Sequence, residues 1–272
     1  MKVHHLNCGT MCPTGRRLIN GEGGWFAPGK LVCHCLLIES REGLILVDTG
    51  FGAKDIEDPQ TRLGPIRGLL KPTLQPSETA LALVQNLGFR PSDVRHVLLT
   101  HLDLDHAGGL ADFPNATIHL LAAEKRHAID APDRASKRRY RSIQWDHEPK
   151  WATYEPDGTP WKGFAAAREL RGLPPEILLV PMAGHTQGHA CIAVEGESDW
   201  MLHCGDAYFH RHSLVGEKPP FGIRMFQRLA ALNTAEMLAN QARLQELKAT
   251  ESDVTLFCSH DPVELAERTE QT

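Results

Sequence analysis

The sequence predicts a mixed α/β fold with buried sheets. Short apolar runs flanked by turn residues alternate along the chain with segments of helical periodicity. Several of these runs are followed within three residues by a histidine or aspartate, among them His101, Asp206 and His260. Because α/β sheets place their ligand sites at the carboxyl ends of strands, this arrangement predicts that distant residues meet in one site. The 272 residues are enough to bury a full core.

The individual elements follow from hydrophobic periodicity and capping residues. Ser77 is a candidate N-cap for a helix that ends before Gly88, and Asn233 with Glu236 forms a capping-box pattern. The Pro-rich segment 55–76 is predicted to be a loop. Strands are predicted at 3–6, 31–38, 44–47, 94–99, 117–120, 177–180, 191–194, 200–203 and 254–258, and helices at 77–87, 122–129 and 233–248.

Composition restricts the class of protein. Hydrophobic residues make up 42% and charged residues 23% of the chain, which is typical of a globular protein. The net charge of −5 gives no electrostatic basis for nucleic acid as a partner. No secretory signal opens the chain and no apolar run is long enough to cross a bilayer, so no membrane association is expected. Seven cysteines, an odd number, suit free thiols and a cytoplasmic location.

A Trp-rich excursion is predicted at about 132–172. It holds three of the five tryptophans and a basic run from Lys137 to Arg141. One interpretation is a segment that packs its own aromatic side chains and carries a solvated basic face. The other is a lid whose apolar side forms a substrate wall.

The strongest functional signal is the segment His101-Leu-Asp-Leu-Asp-His-Ala-Gly-Gly109. Four side chains that can bind a metal, those of His101, Asp103, Asp105 and His106, fall within six residues directly after a predicted strand. A strand or helix would point them in different directions, whereas a tight loop can direct all four to one place. The two glycines that follow allow the backbone to turn closely. Imidazole and carboxylate ligands suit zinc, iron, manganese or cobalt.

This segment resembles the His-x-His-x-Asp-His motif of the metallo-β-lactamase superfamily, whose fold is a four-layer αββα sandwich. The resemblance spans most of the chain and implies a single domain over residues 1–272. Further motifs of the family occur along the chain in the same order as in its members: Asp48-Thr-Gly, Gly-His185-Thr-Gln-Gly-His189, Gly-Asp206 and Ser-His260.

The resemblance implies two divalent metal ions. His101, Asp103 and His185 would hold one ion, and Asp105, His106 and His260 the other, with Asp206 bridging both. A hydroxide shared by the two ions would be the nucleophile. Asp105 would also be catalytic, orienting this hydroxide and passing a proton to the leaving group.

The chain departs from the family at Asp103, where the motif usually has histidine. Aspartate still ligates, but it adds negative charge and a harder donor. We expect zinc at this site, and the harder carboxylate donor of Asp103 makes iron or manganese the alternatives.

Three other residues are candidates for roles around the ligands. Asp48 is predicted to orient a ligand histidine, and His189 is predicted to lie behind the ligands and to hydrogen-bond within its own turn. Tyr208 lies one residue before the position where the family's acyl-homoserine lactonases carry a tyrosine that polarises the substrate carbonyl; this chain has Phe209 there. Tyr208 is therefore either a catalytic oxyanion donor or a packing residue.

The pattern is closest to the lactonase branch of the family and predicts hydrolysis of a lactone or carboxylic ester. Aromatic and apolar residues such as Trp25, Phe26, Phe221, Met225 and Phe226 suggest a small, partly apolar substrate. A homodimer is compatible with this function. Thioesterase and phosphodiesterase activity at the same site are alternatives, as is a diiron redox protein, which Asp103 would favour. A non-catalytic binding module is disfavoured because no ligand position is lost.

Overall fold

The computed structural model describes residues 1–196 and 199–270 and contains two β-sheets. In the described chain the first sheet has six strands in the order β1 to β6. Strands β1 to β3 pair antiparallel, and β3 to β6 pair parallel. The strands are β1 (Lys2–Met11), β2 (Leu31–Ser40), β3 (Gly43–Val47), β4 (Val94–Leu98), β5 (Thr117–Leu121) and β6 (Lys150–Tyr154).

The second sheet has six strands among the described residues, in the order β12 to β7. Its neighbours pair antiparallel except for the parallel pair β11 and β12. The strands are β7 (Thr159–Trp161), β8 (Phe164–Glu169), β9 (Ile177–Pro181), β10 (Ala190–Glu195), β11 (Trp200–His203) and β12 (Val254–Phe257).

Helices lie between the strands and cover the outer faces of the sheets. The two longest, α9 and α10, follow the second sheet's β11. The helices are α1 (Arg16–Ile19), α2 (Ala53–Glu57), α3 (Pro59–Leu63), α4 (Arg67–Leu70), α5 (Ala80–Asn86), α6 (Leu104–Ala107), α7 (Ala122–Lys125), α8 (Ser136–Arg139), α9 (Phe221–Ala230), α10 (Thr234–Thr250) and α11 (Pro262–Thr269).

The layers follow from three apolar cores. The central core joins the facing sides of the two sheets, for example Leu36 of β2 and Ile192 of β10. A second core packs the other face of the first sheet against α5 through Val84. A third packs the other face of the second sheet against α10 through Leu244. Inner strands such as β2 and β10 therefore bury both faces, which explains their continuous apolar runs. The predicted αββα sandwich is confirmed.

The strand ends converge as predicted. His101, His185, Asp206 and His260 follow β4, β9, β11 and β12, and Asp48 follows β3 directly. The site is therefore supported by both sheets, because β3 and β4 belong to the first and the other three strands to the second.

The segment 132–172, predicted as an excursion, contributes β6 to the first sheet and β7 and β8 to the second. Trp145 is buried in the core beside α5, and Trp151 packs against that core. Trp161 packs at the α10 side, with its ring centroid 5.2 Å from that of Trp200. Its tryptophans therefore join the cores on both sides of the molecule instead of forming a cluster of their own.

Two local predictions were wrong. Much of the segment 55–76, predicted as loop, forms the short helices α2 to α4, because Pro59 occupies the first turn of α3 and the Asp58 side chain caps it. A buried ion pair of 2.7 Å between Arg62 Nε and Asp55 Oδ1 fixes these helices. Helix α5 begins after Thr79, whose hydroxyl accepts from the backbone of Ala82, and not after Ser77.

Two observations bear on the environment of the protein. In the described part of the chain, no helix is long and apolar enough to span a membrane. All seven cysteine thiols are free.

Candidate metal centre

The ligand loop is held in place by the strand that precedes it and by the Asp48-Thr49 turn. Asp48 has a φ of 55°, which turns its carboxylate back towards the ligand loop. One Asp48 oxygen accepts from the Thr100 backbone at 2.8 Å, and the other accepts from His106 Nδ1 at 2.8 Å. The Thr49 hydroxyl donates to the His106 carbonyl at 2.7 Å. A Cβ on Gly108 would lie 2.3 Å from Asp55 Oδ2, so only glycine fits there.

The first group of ligand atoms belongs to His101, His185 and Asp206, which are all buried and lie within 4.8 Å of one another. Asp103 Oδ2 approaches the Nε2 atoms of His101 and His185 at 3.2 and 3.1 Å. The Asp206 Oδ2 atom lies 3.3 Å from His185 Nε2. Spacings of this size between donors match a tetrahedral zinc ion with bonds of about 2.0–2.2 Å.

The second group consists of Asp105, His106 and His260. Asp206 Oδ1 lies 3.0 Å from His260 Nε2 and 3.3 Å from His106 Nε2. Asp105 Oδ2 lies 3.6 Å from His260 Nε2. Asp206 Oδ2 also lies 3.3 Å from His260 Nε2, so the Asp206 carboxylate stands between the two groups and is in reach of both.

Buried polar atoms without a partner indicate that this cluster is built for ions. His101 Nε2, His106 Nε2 and Asp206 Oδ1 are buried and make no hydrogen bond to the described residues. Such atoms are costly to bury unless a ligand satisfies them. Imidazole nitrogens and carboxylate oxygens together fit a divalent transition metal, so the residues present fit two such ions.

The electrostatics keep Asp103, Asp206 and His185 in the forms that bind metal. Burial alone would raise the pKa of Asp103, but the Arg139 guanidinium and the neighbouring histidines hold it well below its ordinary value. Burial also opposes the ionisation of Asp206, while His260 and other histidines hold its pKa well below the usual range. Burial lowers the pKa of His185 to about 4, so this ring is neutral and keeps a lone pair. Burial would also lower the pKa of His106 and His260, but Asp206 and the other nearby carboxylates raise it, so a metal ion would have to replace a proton on these two rings.

His189 holds the backbone of Asp206. Its Nδ1 lies 3.0 Å from the Met182 carbonyl oxygen, and its Nε2 accepts from the Asp206 backbone amide at 2.9 Å. The predicted hydrogen-bonding roles of His189 and Asp48 therefore fit their contacts.

Arg139 is a residue of the centre that sequence analysis assigned only to a solvated basic run. Its Nε donates to Asp103 Oδ1 at 2.7 Å, and its Nη2 donates to Asp103 Oδ2. The same Nη2 lies 2.8 Å from His185 Nε2, and Nη1 donates to the Ala230 carbonyl at the end of α9. The guanidinium therefore offsets the extra negative charge that Asp103 brings. A contact across 36 residues leaves no local sequence signal.

The structure places Tyr208 away from the ligands. Its hydroxyl donates to the buried Glu264 at 3.0 Å, and its ring lies in the core beside α10. The catalytic prediction for Tyr208 is therefore not supported, and packing is its observed role. Phe209 points the other way, with its ring centroid 5.7 Å from that of His185 and 5.2 Å from that of His260.

The Asp48 contacts lead to a prediction. In Asp48→Asn the backbone conformation is retained, because asparagine tolerates positive φ. The asparagine side chain has a single acceptor oxygen, so it cannot accept from both the Thr100 backbone amide and His106 Nδ1. His106 then loses the carboxylate oxygen that orients its ring. We expect zinc affinity to fall about 10–100-fold in competition with a chromogenic chelator. Unchanged affinity in the variant would show that Asp48 does not orient the ligand.

Comparison with known proteins places the chain in a family. A model of the metallo-beta-lactamase superfamily matches residues 28–248. The chain belongs to the metallo-beta-lactamase superfamily. It is 47% identical over 264 residues to a probable metallo-hydrolase of Mycobacterium tuberculosis, covering 96% of this chain and 81% of that protein. The family and this relative confirm the sequence-based prediction of a metal-dependent hydrolase.

More distant relatives of this superfamily member are lactonases. An N-acyl homoserine lactonase of Bacillus cereus is 24% identical over 261 residues, which is 92% of this chain and 91% of that one. A solved N-acyl homoserine lactone hydrolase, with N-hexanoyl-L-homoserine bound at its catalytic metal centre, superposes with a TM-score of 0.74. It is 22% identical and covers 100% of this chain and 96% of its own, which shows a shared fold.

Proposed function

We propose that this superfamily member is a dinuclear metal-dependent hydrolase that opens a lactone or cleaves a related carboxylic ester. The observation that carries the proposal is the position of Asp206, whose carboxylate lies between the two ligand groups, 3.3 Å from His185 Nε2 and 3.0 Å from His260 Nε2. The first ion would be held by His101, Asp103, His185 and Asp206, and the second by Asp105, His106, His260 and Asp206. A pair of divalent ions bound there would supply a nucleophile from water near neutral pH and would polarise the carbonyl.

Asp105 is the proposed proton carrier. Its side chain keeps 13% of its surface exposed, more than the 5% of Asp206, so it reaches the open side of the centre. A carboxylate there can take a proton from the attacking water and return it to the leaving alkoxide oxygen. This transfer completes ester cleavage without a further protein acid.

The open side of the centre favours a substrate with an apolar part. Phe209 lies against His185 and His260, and its ring centroid is 5.7 Å from that of Phe226 on α9. Phe209 itself is 2% exposed, whereas Phe226 is partly exposed, so an acyl group can pack against the Phe226 ring once its carbonyl reaches the metals. Trp25 and Phe26, predicted as part of the same wall, are 59% and 92% exposed.

A phosphodiester is a poorer substrate for this site. Of the basic run, Arg139 reaches the centre, and its donors are directed to Asp103, His185 and the Ala230 carbonyl. The Lys137 and Arg138 side chains are exposed. A phosphate would have to displace Asp103 to gain a strong contact with the guanidinium.

The proposed substrate class is tested by assaying one metal-loaded preparation on lactones, thioesters and phosphodiesters. We expect kcat/KM to be highest for lactones that carry an acyl chain. A phosphodiester or a thioester as the best substrate would contradict this assignment.

The ion pair between Arg139 and Asp103 bears on which metal the site prefers. Because the pair carries no net charge, it resembles the neutral imidazole that the motif usually has at this position, and we propose zinc at both positions. In Arg139→Gln the Asp103 charge is uncompensated, and we expect the bound metal to shift towards manganese or iron. Elemental analysis of both proteins, grown with equal metal supply, measures this. Iron or manganese in the unmodified protein would contradict the proposal.

A further inference from the structure

Glu124 is a buried carboxylate beside the centre that the mechanism does not use. It lies in α7, directly after β5, and has no exposed surface. No ion pair reaches it from the part of the chain that the structure describes. A buried carboxylate without a cation is retained only where several hydrogen-bond donors hold it.

Those donors come from three separate segments. Oε1 accepts from the Leu102 backbone amide at 2.9 Å and from the Tyr140 hydroxyl at 3.1 Å. Oε2 accepts from the Gly188 backbone amide at 3.1 Å. Among the described residues, one side chain therefore ties together three loops that are distant in sequence.

Each of these donors lies in a short segment that also supplies a side chain at the first metal position. Leu102 lies between His101 and Asp103, and Tyr140 follows Arg139. Gly188 belongs to the turn that begins at His185 and ends at His189. Backbone amides have few degrees of freedom, so fixing them also limits where the neighbouring ligand side chains can go.

The turn rests directly on α7. A Cβ on Gly188 would lie 2.1 Å from the Glu124 backbone nitrogen, so a larger residue would push the turn away. This close approach does not involve the carboxylate hydrogen bonds. The turn and α7 are therefore in contact through backbone atoms as well as through the Glu124 side chain.

We propose that Glu124 is a positioning residue that sets the distance between the His101 loop and the His185 turn, and so creates the first metal position. The inference rests on the proposed two-metal site, but not on the identity of the substrate. The second position takes Asp105, His106 and His260, which lie outside these three contacts, and it does not depend on Glu124.

The test is metal binding by Glu124→Gln. A glutamine side chain has one acceptor oxygen, so its NH2 group must face either the Leu102 or the Gly188 amide, and two donors then oppose each other. We expect one of the two zinc ions to bind about 10–100-fold more weakly and the other to be unchanged. Anomalous diffraction at the zinc edge locates the ion that remains, which should be the one at His106 and His260.

Glu264 offers a matched control. It is also buried and accepts from a tyrosine hydroxyl, that of Tyr208, and from a backbone amide, that of Cys258. Glu264→Gln should therefore cost similar stability but leave the first position filled. Tyr140→Phe removes one donor and leaves both amides held, so its zinc affinity should stay within about threefold of the unmodified protein.

A purely structural role for Glu124 would give a different result. The proposal would be overturned if Glu124→Gln weakened the binding of both ions equally, or if the folded variant bound both ions as the unmodified protein does. Loss of the first ion in Glu264→Gln as well would also overturn it. If Glu124→Gln does not fold, Gly188→Ala separates the turn from α7 instead and should weaken the same single ion. Cobalt substitution gives a second readout, because the d–d absorption of the first ion should change in the variant.

These readouts do not depend on hydrolysis. Failure of every lactone assay would overturn the proposed function but leave the zinc measurements as a test of Glu124. If the protein hydrolyses lactones but Glu124→Gln leaves the affinity for both zinc ions unchanged, the inference about Glu124 is overturned and the proposed function is not.

Discussion

In Asp206→Asn, both metal ions should bind much more weakly, and hydrolysis should fall by a factor on the order of 10³ or more. Asp206 Oδ1 lies close to His106 and His260, and Oδ2 lies 3.3 Å from both His185 Nε2 and His260 Nε2. The amide keeps the shape of the carboxylate but loses its charge and one acceptor. Metal polarisation contributes several kcal/mol to the transition state, which corresponds to a loss of this size. Elemental analysis after gel filtration and a lactone assay measure both effects.

Asp55→Asn is the matched control for a general loss of stability. Asp55 is fully buried and pairs with Arg62 at 2.7 Å; it packs against Gly108 at the end of the ligand loop but is not itself a ligand. We expect this variant to unfold at a lower temperature while the folded protein keeps about two metal ions. Retention of both ions by Asp206→Asn would contradict a bridging role for this carboxylate.

Asp105→Asn should separate catalysis from metal binding. In the proposed site His106, His260 and Asp206 would still hold the second ion, so most of the metal should remain. Without the carboxylate, no group carries the proton to the leaving oxygen, and kcat should fall about 10²–10⁴-fold. Steady-state kinetics on one lactone, with the metal content measured in the same sample, tests this.

Asp112→Asn is a suitable control for Asp105→Asn. Asp112 accepts from the Ala53 backbone amide at 2.9 Å and makes no contact with the ligand groups. Its variant should retain kcat. An Asp105→Asn enzyme with normal turnover would rule out the proton-carrier role.

The sequence was informative where ligands are contiguous or directly follow a strand. His101, Asp103, Asp105 and His106 lie in one loop, and their spacing alone indicated a shared site. The αββα fold could be predicted because the family motifs occur in order along the chain.

The residues that sequence analysis missed act across long separations. Arg139 reaches Asp103 from α8, and Glu124 joins three loops from α7. Nothing near either residue in sequence distinguishes it from an ordinary surface arginine or a helical glutamate. Both become recognisable only when the fold brings the loops together.

Tyr208 shows how a single position can mislead. Two adjacent aromatic residues follow Asp206, and the backbone turns one towards the core and the other towards the ligands. Sequence reasoning could not decide which side each residue takes, because no regular element follows β11 there. The hydroxyl at Tyr208 favoured a catalytic role chemically, whereas the structure pairs it with Glu264.

The central claim is a pair of metal ions that together hydrolyse a lactone. The most direct measurement is the metal content of the protein purified without added metal, with a lactone assay on the same sample before and after chelation. We predict about two zinc ions per chain, ring opening that is lost on chelation, and recovery when zinc is restored. Ring opening that survives complete removal of metal, or two bound ions with no hydrolysis of any ester, would contradict the claim.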